Sequence, residues 1–337
     1  MPSSSSAMMP TSPSGAVDNA KEGVPTVACD LHTKWAGDEY CIKPPPADTG
    51  FQIHIGPADP DNPEPRYVNQ PGSETNEDFP ATSGNKSDVY YYVRQYRMRT
   101  GSHHLILNAG AGGFGGRRLG GTQNLSRDNP ENGIIPPEDQ DVGMKLGAST
   151  PLSVNLHYFN FSDKPMLKEA WINMWYRDAK DVKEPANEMY SFAPINIGPG
   201  KHVVLRGVCP VSQAGRMLSH YGHRHANNVR FSTWRERGGK QDLIYEDFDW
   251  KEPLTLEYSS LVTNKPPDAT NKVAGGWTGM LDLAPGDNIV FECEIVNRTD
   301  HAFRGLNEAE DDEMCILIGN TVKTTVPAAC QYTTKEL

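Results

Sequence analysis

Leu152-Ser153-Val154-Asn155-Leu156-His157-Tyr158 alternates apolar and polar side chains along its length. Successive side chains of an extended strand point to opposite faces, so the two leucines and the valine share one face. The serine, the asparagine and His157 then share the other face. This alternation is typical of a β-strand with one buried face, and it leaves the imidazole on the opposite side.

Short segments of the same kind recur along the chain, separated by Gly, Pro, Asn and Asp. Gly238-Gly239 lies between two of them and is typical of a hairpin turn. No stretch keeps a helical period over three turns, so we predict an all-β protein built from two tandem antiparallel β-sandwiches. The clearest predicted strands run from Phe51 to Ile55, Val89 to Met98, His104 to Asn108, Ala170 to Tyr176, Val229 to Trp234, Asn288 to Val296 and Met314 to Ile318.

A polar stretch from Asp178 to Glu188 is the predicted domain boundary. We expect a disordered lead over 1–27, an N-terminal domain over 28–186 and a C-terminal domain over 187–337. The lead lacks the charged start and apolar region of a signal peptide, so we expect that any export signal is absent from this chain. The stretch from Gly110 to Asp141 is rich in Gly and then in Asn, Asp and Pro, which predicts a long surface loop.

The charge of the chain restricts its partners. A formal net charge of −11 disfavours binding to nucleic acid or to an anionic membrane surface, because the phosphates would not be neutralised. No run of eighteen apolar residues occurs, so we predict no transmembrane segment.

The chain has six cysteines, and none of them forms a CxxC pair, which disfavours thiolate zinc sites and thioredoxin-type redox motifs. An even number at wide spacing is typical of structural disulfides, although six cysteines allow fifteen pairings. Disulfides persist in oxidising compartments, so we expect an extracytoplasmic location: secreted, periplasmic or lumenal. Six buried free thiols in a cytosolic enzyme are the alternative.

His103 and His104 are the first candidate metal ligands. Adjacent residues of a regular strand point to opposite faces, so both can bind one ion only at a strand end or a bulge. Thr100-Gly101-Ser102 just before them makes such an irregularity plausible. With His157 they would form a three-imidazole site, which suits copper or zinc equally. Solvated histidines without a metal are the alternative.

His223-Arg224-His225 and Met314 are the second candidate group. The two histidines share a strand face, with Arg224 turned away, and Met314 shares its face with Ile316 and Ile318. Thioether sulfur is a soft ligand that prefers Cu(I) to zinc or iron. Three protein ligands also leave coordination positions open, as a catalytic metal needs. Two alternatives stay open here: Met314 as ordinary core, and His220 as a competing ligand.

Five segments of the chain carry a family resemblance, in this order: Gly101-Ser102-His103-His104-Leu105-Ile106-Leu107, Val154-Asn155-Leu156-His157-Tyr158, Asn173-Met174-Trp175-Tyr176, His223-Arg224-His225 and Asp312-Glu313-Met314-Cys315. They resemble motifs of the ascorbate-dependent type II copper monooxygenases, which include the peptidylglycine α-hydroxylating and dopamine β-hydroxylating enzymes. The resemblance runs from about Cys41 to Cys330.

The resemblance implies two β-sandwich domains with one copper ion on each, facing each other across a solvent-filled cleft. His103, His104 and His157 would hold the electron-storing copper. The copper that binds dioxygen and abstracts hydrogen from an aliphatic C–H bond would be held by His223, His225 and Met314. Ascorbate would be the external reductant, one oxygen atom entering the product and the other leaving as water.

The resemblance also implies disulfides. Cys293 with Cys315 and Cys209 with Cys330 match the family's second-domain bridges, which leaves Cys29 and Cys41 to pair locally. Two of the family's first-domain bridges are missing, so the N-terminal half departs further from the pattern.

Departures from the family pattern bear on the substrate. Where the peptide-hydroxylating branch has an arginine and polar groups for a substrate carboxylate, this chain has Tyr221, Ile316 and Ile318. Burying a carboxylate without a cationic partner costs several kcal/mol, so a glycine-extended peptide is an unfavourable substrate. We expect a small, apolar or aromatic molecule. A non-catalytic copper-binding or copper-delivery protein is the alternative function, and a zinc hydrolase is disfavoured because zinc rarely binds a thioether.

Overall fold

The protein is described by a computed structural model covering residues 28–110, 117–123, 142–250, 255–257, 262–263, 271–273, 281–305, 311–324 and 330–337. Over these residues the regular structure is almost entirely β, with 3₁₀ turns at Asp38–Tyr40, Pro65–Tyr67 and Ala179–Asp181. The prediction of an all-β sandwich fold is confirmed. The predicted disordered lead, residues 1–27, lies outside the described residues.

The strands in chain order are β1 (Gly50–Ile55), β2 (Val68–Asn69), β3 (Glu74–Thr82), β4 (Val89–Met98), β5 (Ser102–Ala109), β6 (Arg117–Gln123), β7 (Val142–Leu146), β8 (Pro151–Phe159), β9 (Met166–Leu167), β10 (Ala170–Asp178) and β11 (Glu184–Phe192). They continue with β12 (His202–Pro210), β13 (Gly215–Arg224), β14 (Asn228–Arg237), β15 (Lys240–Asp247), β16 (Thr255–Glu257), β17 (Val262–Thr263), β18 (Asn271–Val273), β19 (Leu281–Leu283), β20 (Asn288–Val296), β21 (Cys315–Val322) and β22 (Gln331–Glu336).

The N-terminal half is a two-layer sandwich. One layer has the strand order β1-β10-β4-β7 and the other β3-β8-β5-β6. Leu152, Val154 and Leu156 of β8 are buried in one hydrophobic cluster with residues of β1, β4 and β10, so this cluster fills the space between the layers. Full burial of each such side chain contributes about 1.5–3 kcal/mol. The alternation read from the sequence is therefore what orients β8, with its apolar face in the core.

The C-terminal half is a second sandwich with its own core. One layer has the order β11-β21-β13-β16-β17, with β19 also paired to β13, and the other has the order β18-β15-β14-β20-β12-β22. Between them lies a cluster that includes Leu205, Phe231, Phe291 and Leu317. The Gly238-Gly239 hairpin joins β14 to β15, and both glycines have positive φ, as such turns require.

The two halves share a sheet. Two residues at the start of β11 pair in parallel with β7, Glu184 with Val142 and Pro185 with Gly143. This pairing joins the layer β1-β10-β4-β7 to the layer β11-β21-β13-β16-β17 in one ten-stranded sheet. The predicted boundary between residues 186 and 187 therefore falls within β11. Three side chains from beyond β7, those of Ala186, Leu218 and Val322, pack into the N-terminal cluster.

Three disulfides are present: Cys29–Cys41, Cys209–Cys330 and Cys293–Cys315. These are the predicted pairings, and they indicate an oxidising environment. Cys293–Cys315 joins β20 to the first residue of β21 and so ties the two layers of the C-terminal sandwich together.

The prediction of a long surface loop from Gly110 to Asp141 is wrong over residues 117–123, because Arg117–Gln123 forms β6 and pairs with β5. Pairing with an ordered neighbour compensates for the weak strand propensity of its glycines. The rest of that stretch, 111–116 and 124–141, lies outside the described residues. Along the described chain, no helix is long and apolar enough to cross a membrane.

Candidate metal centre

His103, His104 and His157 come together where β5 pairs with β8. His104 lies directly opposite His157, and the register shifts between Ser102 and His104, which marks a bulge at His103. Gly101 precedes the bulge with φ +85°, a backbone conformation that glycine adopts without strain. The irregularity predicted from Thr100-Gly101-Ser102 is present, and it brings both adjacent imidazoles to the same side.

These three side chains form a compact group. One ring nitrogen of each lies within 4.8 Å of the corresponding atoms of the other two. All three side chains are buried. Burial lowers the pKa of both His103 and His104 well below its usual range, and the neighbouring histidines lower it further. The rings are therefore neutral near pH 7, which is the form that binds a metal ion.

Two ring nitrogens of this group fit a metal site in particular. Nε2 of His103 and Nδ1 of His104 are buried without a hydrogen-bond partner. Buried polar atoms in proteins nearly always have a partner, so an orphaned pair in one cluster needs an explanation. A bound metal ion would satisfy both atoms.

Glu74 orients the third histidine. Its Oε1 lies 2.6 Å from Nε2 of His157, so this nitrogen donates to the carboxylate and Nδ1 remains as the metal-binding atom. Glu74 begins β3, which pairs with β8. Glu74 was not predicted from the sequence, because nothing in the local sequence shows which strand lies beside His157.

His223 and Met314 lie on one face of a strand pair. In the antiparallel register of β13 and β21, His223 lies opposite Ile316 and Tyr221 opposite Ile318. Directly opposite residues share a face, and Met314 shares the face of Ile316 by alternation. The ring of His225 lies 5.4 Å from that of His223 between centroids.

Glu313 ties the second candidate group together. Its Oε1 accepts hydrogen bonds from the backbone N–H groups of His225 at 2.6 Å and of Met314 at 2.8 Å. Its Oε2 accepts from the N–H of Asn227 at 2.9 Å. Burial raises the pKa of Glu313 to about 8, and the three backbone N–H groups oppose this shift. One buried carboxyl group thus holds the backbone of His225 next to that of Met314.

His225 is also oriented through its ring. Nδ1 lies 3.2 Å from the backbone carbonyl oxygen of Asp312, which makes Nδ1 the donor and leaves Nε2 for a metal ion. The side chain of Asp312 accepts hydrogen bonds from the N–H groups of Arg304 and Gly305. The segment before Met314 is therefore held by carboxylates that bind backbone, rather than by apolar packing alone.

Arg224, between the two histidines, points the other way. Its Nη2 lies 2.7 Å from Oδ2 of Asp247 and 2.9 Å from the backbone oxygen of Asp249. Both partners of the Arg224–Asp247 ion pair are completely buried. Removing one member of such a pair leaves an uncompensated buried charge, so the pair constrains the backbone on which both histidines stand.

The two histidine groups contact each other. The rings of His104 and His223 are 5.7 Å apart between centroids, and those of His103 and His225 are 6.3 Å apart. These five imidazoles, called the histidine cluster below, are each at most 9% exposed. The resemblance implies a solvent-filled cleft between the groups, and the structure instead places them in one buried cluster.

Aromatic rings from both halves border the histidine cluster near His103 and His157. Phe159 lies 5.2 Å from His103 and 4.8 Å from His157 between ring centroids. Phe161, which is 82% exposed, stacks on Phe159. Trp250 lies 6.3 Å from His103. None of these aromatics was identified from the sequence, although Phe159 follows His157 at the spacing that places both on one strand face.

The three predicted substrate residues fall in one small apolar group. Met314, Ile316 and Ile318 are buried together, with Tyr221 packed against them. Tyr190 and Phe192 of β11 complete this group and were not predicted. Their position follows from the pairing of β11 with β21, in which Tyr190 lies opposite Ile318 and Phe192 opposite Ile316.

His220 is placed away from the histidine cluster. Its Nε2 lies 2.8 Å from the Thr233 hydroxyl and its ring contacts Tyr245, on the core side of β13. Burial lowers the pKa of His220 to about 3. The alternative in which His220 replaces one of the two candidate ligands is therefore not supported.

Comparison of the sequence with protein-family profiles and with curated proteins finds no match to either. The assignment of a metal centre accordingly depends on the geometry of the histidine cluster and on the chemistry of its donor atoms. Imidazole nitrogen with one thioether sulfur is a donor set that suits copper.

Proposed function

We propose that the protein is a copper-dependent monooxygenase, an oxidoreductase that hydroxylates an aliphatic C–H bond of a small apolar or aromatic molecule. One O₂, two electrons and two protons convert R–H into R–OH and water, with ascorbate as the external electron donor. The observation that carries the proposal is the contact of a three-imidazole group with His223 and His225 in one buried cluster. Met314 is buried beside Ile316, which lies opposite His223 in the register of β13 and β21.

The residues divide into two ligand sets. His103, His104 and His157, in the N-terminal half, would hold the electron-storing ion. His223, His225 and Met314, in the C-terminal half, would hold the ion that meets dioxygen. Bound copper supplies one-electron redox chemistry, and the thioether stabilises its cuprous form.

The surrounding residues prepare the site before any metal binds. Glu74 and the carbonyl group of Asp312 select the ring nitrogens that face inwards. Glu313 holds the backbone of Met314 against that of His225. Burial of all six ligands excludes bulk water, which protects a reactive site from side reactions.

The apolar group beside Met314 supports an apolar or aromatic substrate. Ile316, Ile318, Tyr190, Phe192 and Tyr221 present hydrocarbon and ring surfaces there. Arg224 is turned to the opposite face and paired with Asp247. A substrate carboxylate in the apolar group would lack this cation and would cost several kcal/mol to desolvate, which disfavours glycine-extended peptides.

Three disulfides support an oxidising location, and we place the protein outside the cytoplasm: secreted, periplasmic or lumenal.

Replacing the thioether tests the proposal. Met314→Ala should abolish ascorbate-dependent hydroxylation and reduce bound copper from two ions to one per chain, because the three-imidazole set is unchanged. Product formation and copper content are measured on the same preparation. Met217→Ala is the matched control, since Met217 is a buried methionine of the C-terminal core. Wild-type turnover by Met314→Ala would contradict the proposal.

The burial of all six ligands also favours a second candidate, a non-catalytic copper-binding or copper-delivery protein. Oxygen uptake driven by ascorbate and matched by hydroxylated product separates the two functions. Tight copper binding with no coupled uptake across small aromatic amines, amides and hydrophobic peptides would support the copper-binding protein.

A further inference from the structure

We infer that Arg99 is a positioning residue for the three-imidazole set, and that the N-terminal disulfide loop, residues 29–41, holds Arg99 in place. Reduction of the Cys29–Cys41 disulfide therefore lowers the metal affinity of that set. The inference rests on the proposed function only for the identity of the metal, because the contacts that carry it lie outside both ligand sets.

The loop holds Arg99 through its side chain, which is completely buried. Nη1 of Arg99 donates hydrogen bonds to Oδ1 of Asp38 at 2.7 Å and to the backbone oxygen of Ala36 at 3.1 Å. Thr33 fixes Asp38 within the loop, because its N–H and hydroxyl groups donate to the two carboxylate oxygens at 2.7 and 2.6 Å. A buried guanidinium depends on such partners, since an unpaired buried charge is strongly unfavourable.

The loop also lies directly against the backbone that leads to the bulge in β5. A Cβ atom on Gly37 would lie 3.1 Å from the backbone nitrogen of Thr100 and 3.2 Å from Cα of Arg99. These two residues immediately precede Gly101, whose positive φ opens the bulge. Displacement of the loop therefore removes the support of the chain four residues before His103.

Glu169 connects Arg99 to the strand that carries the third imidazole. Its Oε2 accepts from Nε of Arg99 at 2.5 Å, and its backbone oxygen accepts from the N–H group of Arg99 at 3.1 Å. The same backbone oxygen accepts from the hydroxyl group of Tyr158 at 2.7 Å. Tyr158 follows His157 on β8. Arg99 thus contributes to the position of both β5 and β8 where they carry the three imidazoles.

Cys29–Cys41 is the disulfide most accessible to a reductant. Of the three disulfides in the part of the chain that the structure describes, this one alone contains a partly exposed cysteine, Cys29. The other five cysteines are each at most 9% exposed: Cys41, Cys209, Cys293, Cys315 and Cys330. Thiol–disulfide exchange requires access of the attacking sulfur, so an external thiol reaches Cys29 first.

The reaction is an exchange with an external dithiol. One thiolate of the dithiol attacks the sulfur of Cys29, and Cys41 leaves as a thiolate that takes up a proton. The second thiol of the reagent then displaces Cys29, so the reagent is oxidised to a cyclic disulfide and both cysteines become thiols. The loop is then no longer closed covalently, and Asp38 and Ala36 are no longer fixed beside Arg99.

Selective reduction tests the inference. His223→Ala protein, in which the three-imidazole set is the complete ligand set, is treated with dithiothreitol under native conditions and alkylated with iodoacetamide. Peptide mass spectrometry should find the label on Cys29 and Cys41 alone. We expect copper competition with a chelator to show roughly tenfold weaker binding after reduction, the lower end of the effect of outer-shell partners of metal ligands. Equal copper affinity before and after reduction would overturn the inference.

Variants separate the loop from general destabilisation. Asp38→Asn, with the disulfide intact, should reproduce the loss of copper affinity, and so should Cys29→Ser combined with Cys41→Ser, which carries no label. Asp287→Asn is the matched control, because Asp287 is a buried partner of Arg237 in the C-terminal half. It should lower the melting temperature without changing copper affinity. Equal losses of copper affinity in Asp38→Asn and Asp287→Asn would also overturn the inference.

Hydrogen exchange tests the position of the backbone without any metal. Reduction of the metal-free wild type should speed amide exchange in β5 and leave that in β14 unchanged. Faster exchange in β5 with no copper bound by either form would reject the metal centre of the proposed function and retain the role of the loop in positioning the imidazoles. Copper bound equally by both forms would reject the role of the loop and leave the proposed function.

Discussion

At the scale of single residues, hydrogen bonds to the ring determine which nitrogen of a histidine can bind a metal. His157 donates through Nε2 to Glu74, and His225 donates through Nδ1 to the carbonyl group of Asp312. The two rings therefore expose opposite nitrogens, although both belong to the same cluster. Partners of this kind fix the tautomer and increase the basicity of the ligand atom.

Glu74→Gln tests the first of these contacts. The glutamine amide is neutral and lacks the negative charge by which Glu74 favours the Nε2–H tautomer of His157. The copper affinity of the three-imidazole set should therefore fall roughly 10–100-fold. Competition with a chelator of known affinity measures this change. Glu77→Gln is the matched control on β3, since Glu77 pairs with Lys168. An equal loss of copper affinity in Glu74→Gln and Glu77→Gln would show that the effect comes from removing any negative charge on β3, and not from the contact with His157.

The pH dependence of stability reports on His220. Its folded pKa is lowered to about 3 from an ordinary value of 6.5, so between these values the unfolded chain binds the extra proton. The stability due to neutral His220 is complete above pH 6.5 and is lost as pH falls below it. We expect metal-loaded wild type to lose up to about 1.4 kcal/mol per pH unit more than His220→Gln between pH 6 and 4. Urea unfolding at each pH measures the difference, and parallel profiles would contradict it.

At the scale of elements, the bulge at the start of β5 creates the three-imidazole set. A regular strand would send His103 and His104 to opposite faces. The shifted register after Ser102 and the positive φ of Gly101 remove that restriction. Gly101 is also tightly enclosed, because a Cβ atom there would lie 2.7 Å from the backbone oxygen of Phe159 and from the sulfur of Met166.

Gly101→Ala should therefore lower both stability and metal binding. The positive φ costs about 1–2 kcal/mol for a residue with a Cβ atom, and the clash with β8 adds to it. Gly72→Ala is the matched control, because Gly72 has φ +69° and open space around its Cβ position. Only Gly101→Ala should weaken copper binding by the three-imidazole set. Denaturant unfolding and copper competition measure the two effects, and unchanged copper affinity in Gly101→Ala would reject the role of the bulge.

At the scale of the whole molecule, the two sandwiches are joined through a shared sheet and a shared core. A register irregularity between Met217 and Ser219 lies at Leu218. Met217 packs into the C-terminal core and Leu218 into the N-terminal core, so two consecutive residues of β13 contribute to the cores of different halves. The histidine cluster depends on this junction, because β13 also carries His223.

Leu218→Ala should uncouple the halves. Loss of a buried leucine costs about 2–5 kcal/mol, and this one lies at the junction. We expect wild type to unfold in one calorimetric transition and Leu218→Ala to unfold in two. Leu205→Ala, which removes a leucine from the C-terminal core alone, should lower the single transition without splitting it. A single transition in Leu218→Ala would show that the β7–β11 pairing is sufficient to join the halves.

The sequence by itself determined the β class and the face of β8 that is buried, whereas the disulfide pairings were implied by the family resemblance and not by the spacing of the six cysteines. Alternation in Leu152–Tyr158 reflects the two-residue period of a strand, which is a local property of the chain. The six candidate ligands could also be named from the sequence, because their motifs are short and continuous.

Only the tertiary structure decided which residues surround those ligands. Glu74, Tyr190, Phe192 and Trp250 reach the site through strand pairing or loop packing, and pairing partners are not encoded within any one segment. The contact between the two histidine groups is also decided by tertiary structure. It depends on the β7–β11 junction and on Leu218 and Val322, which are far in sequence from the histidines of the N-terminal half and act only when both sandwiches have formed.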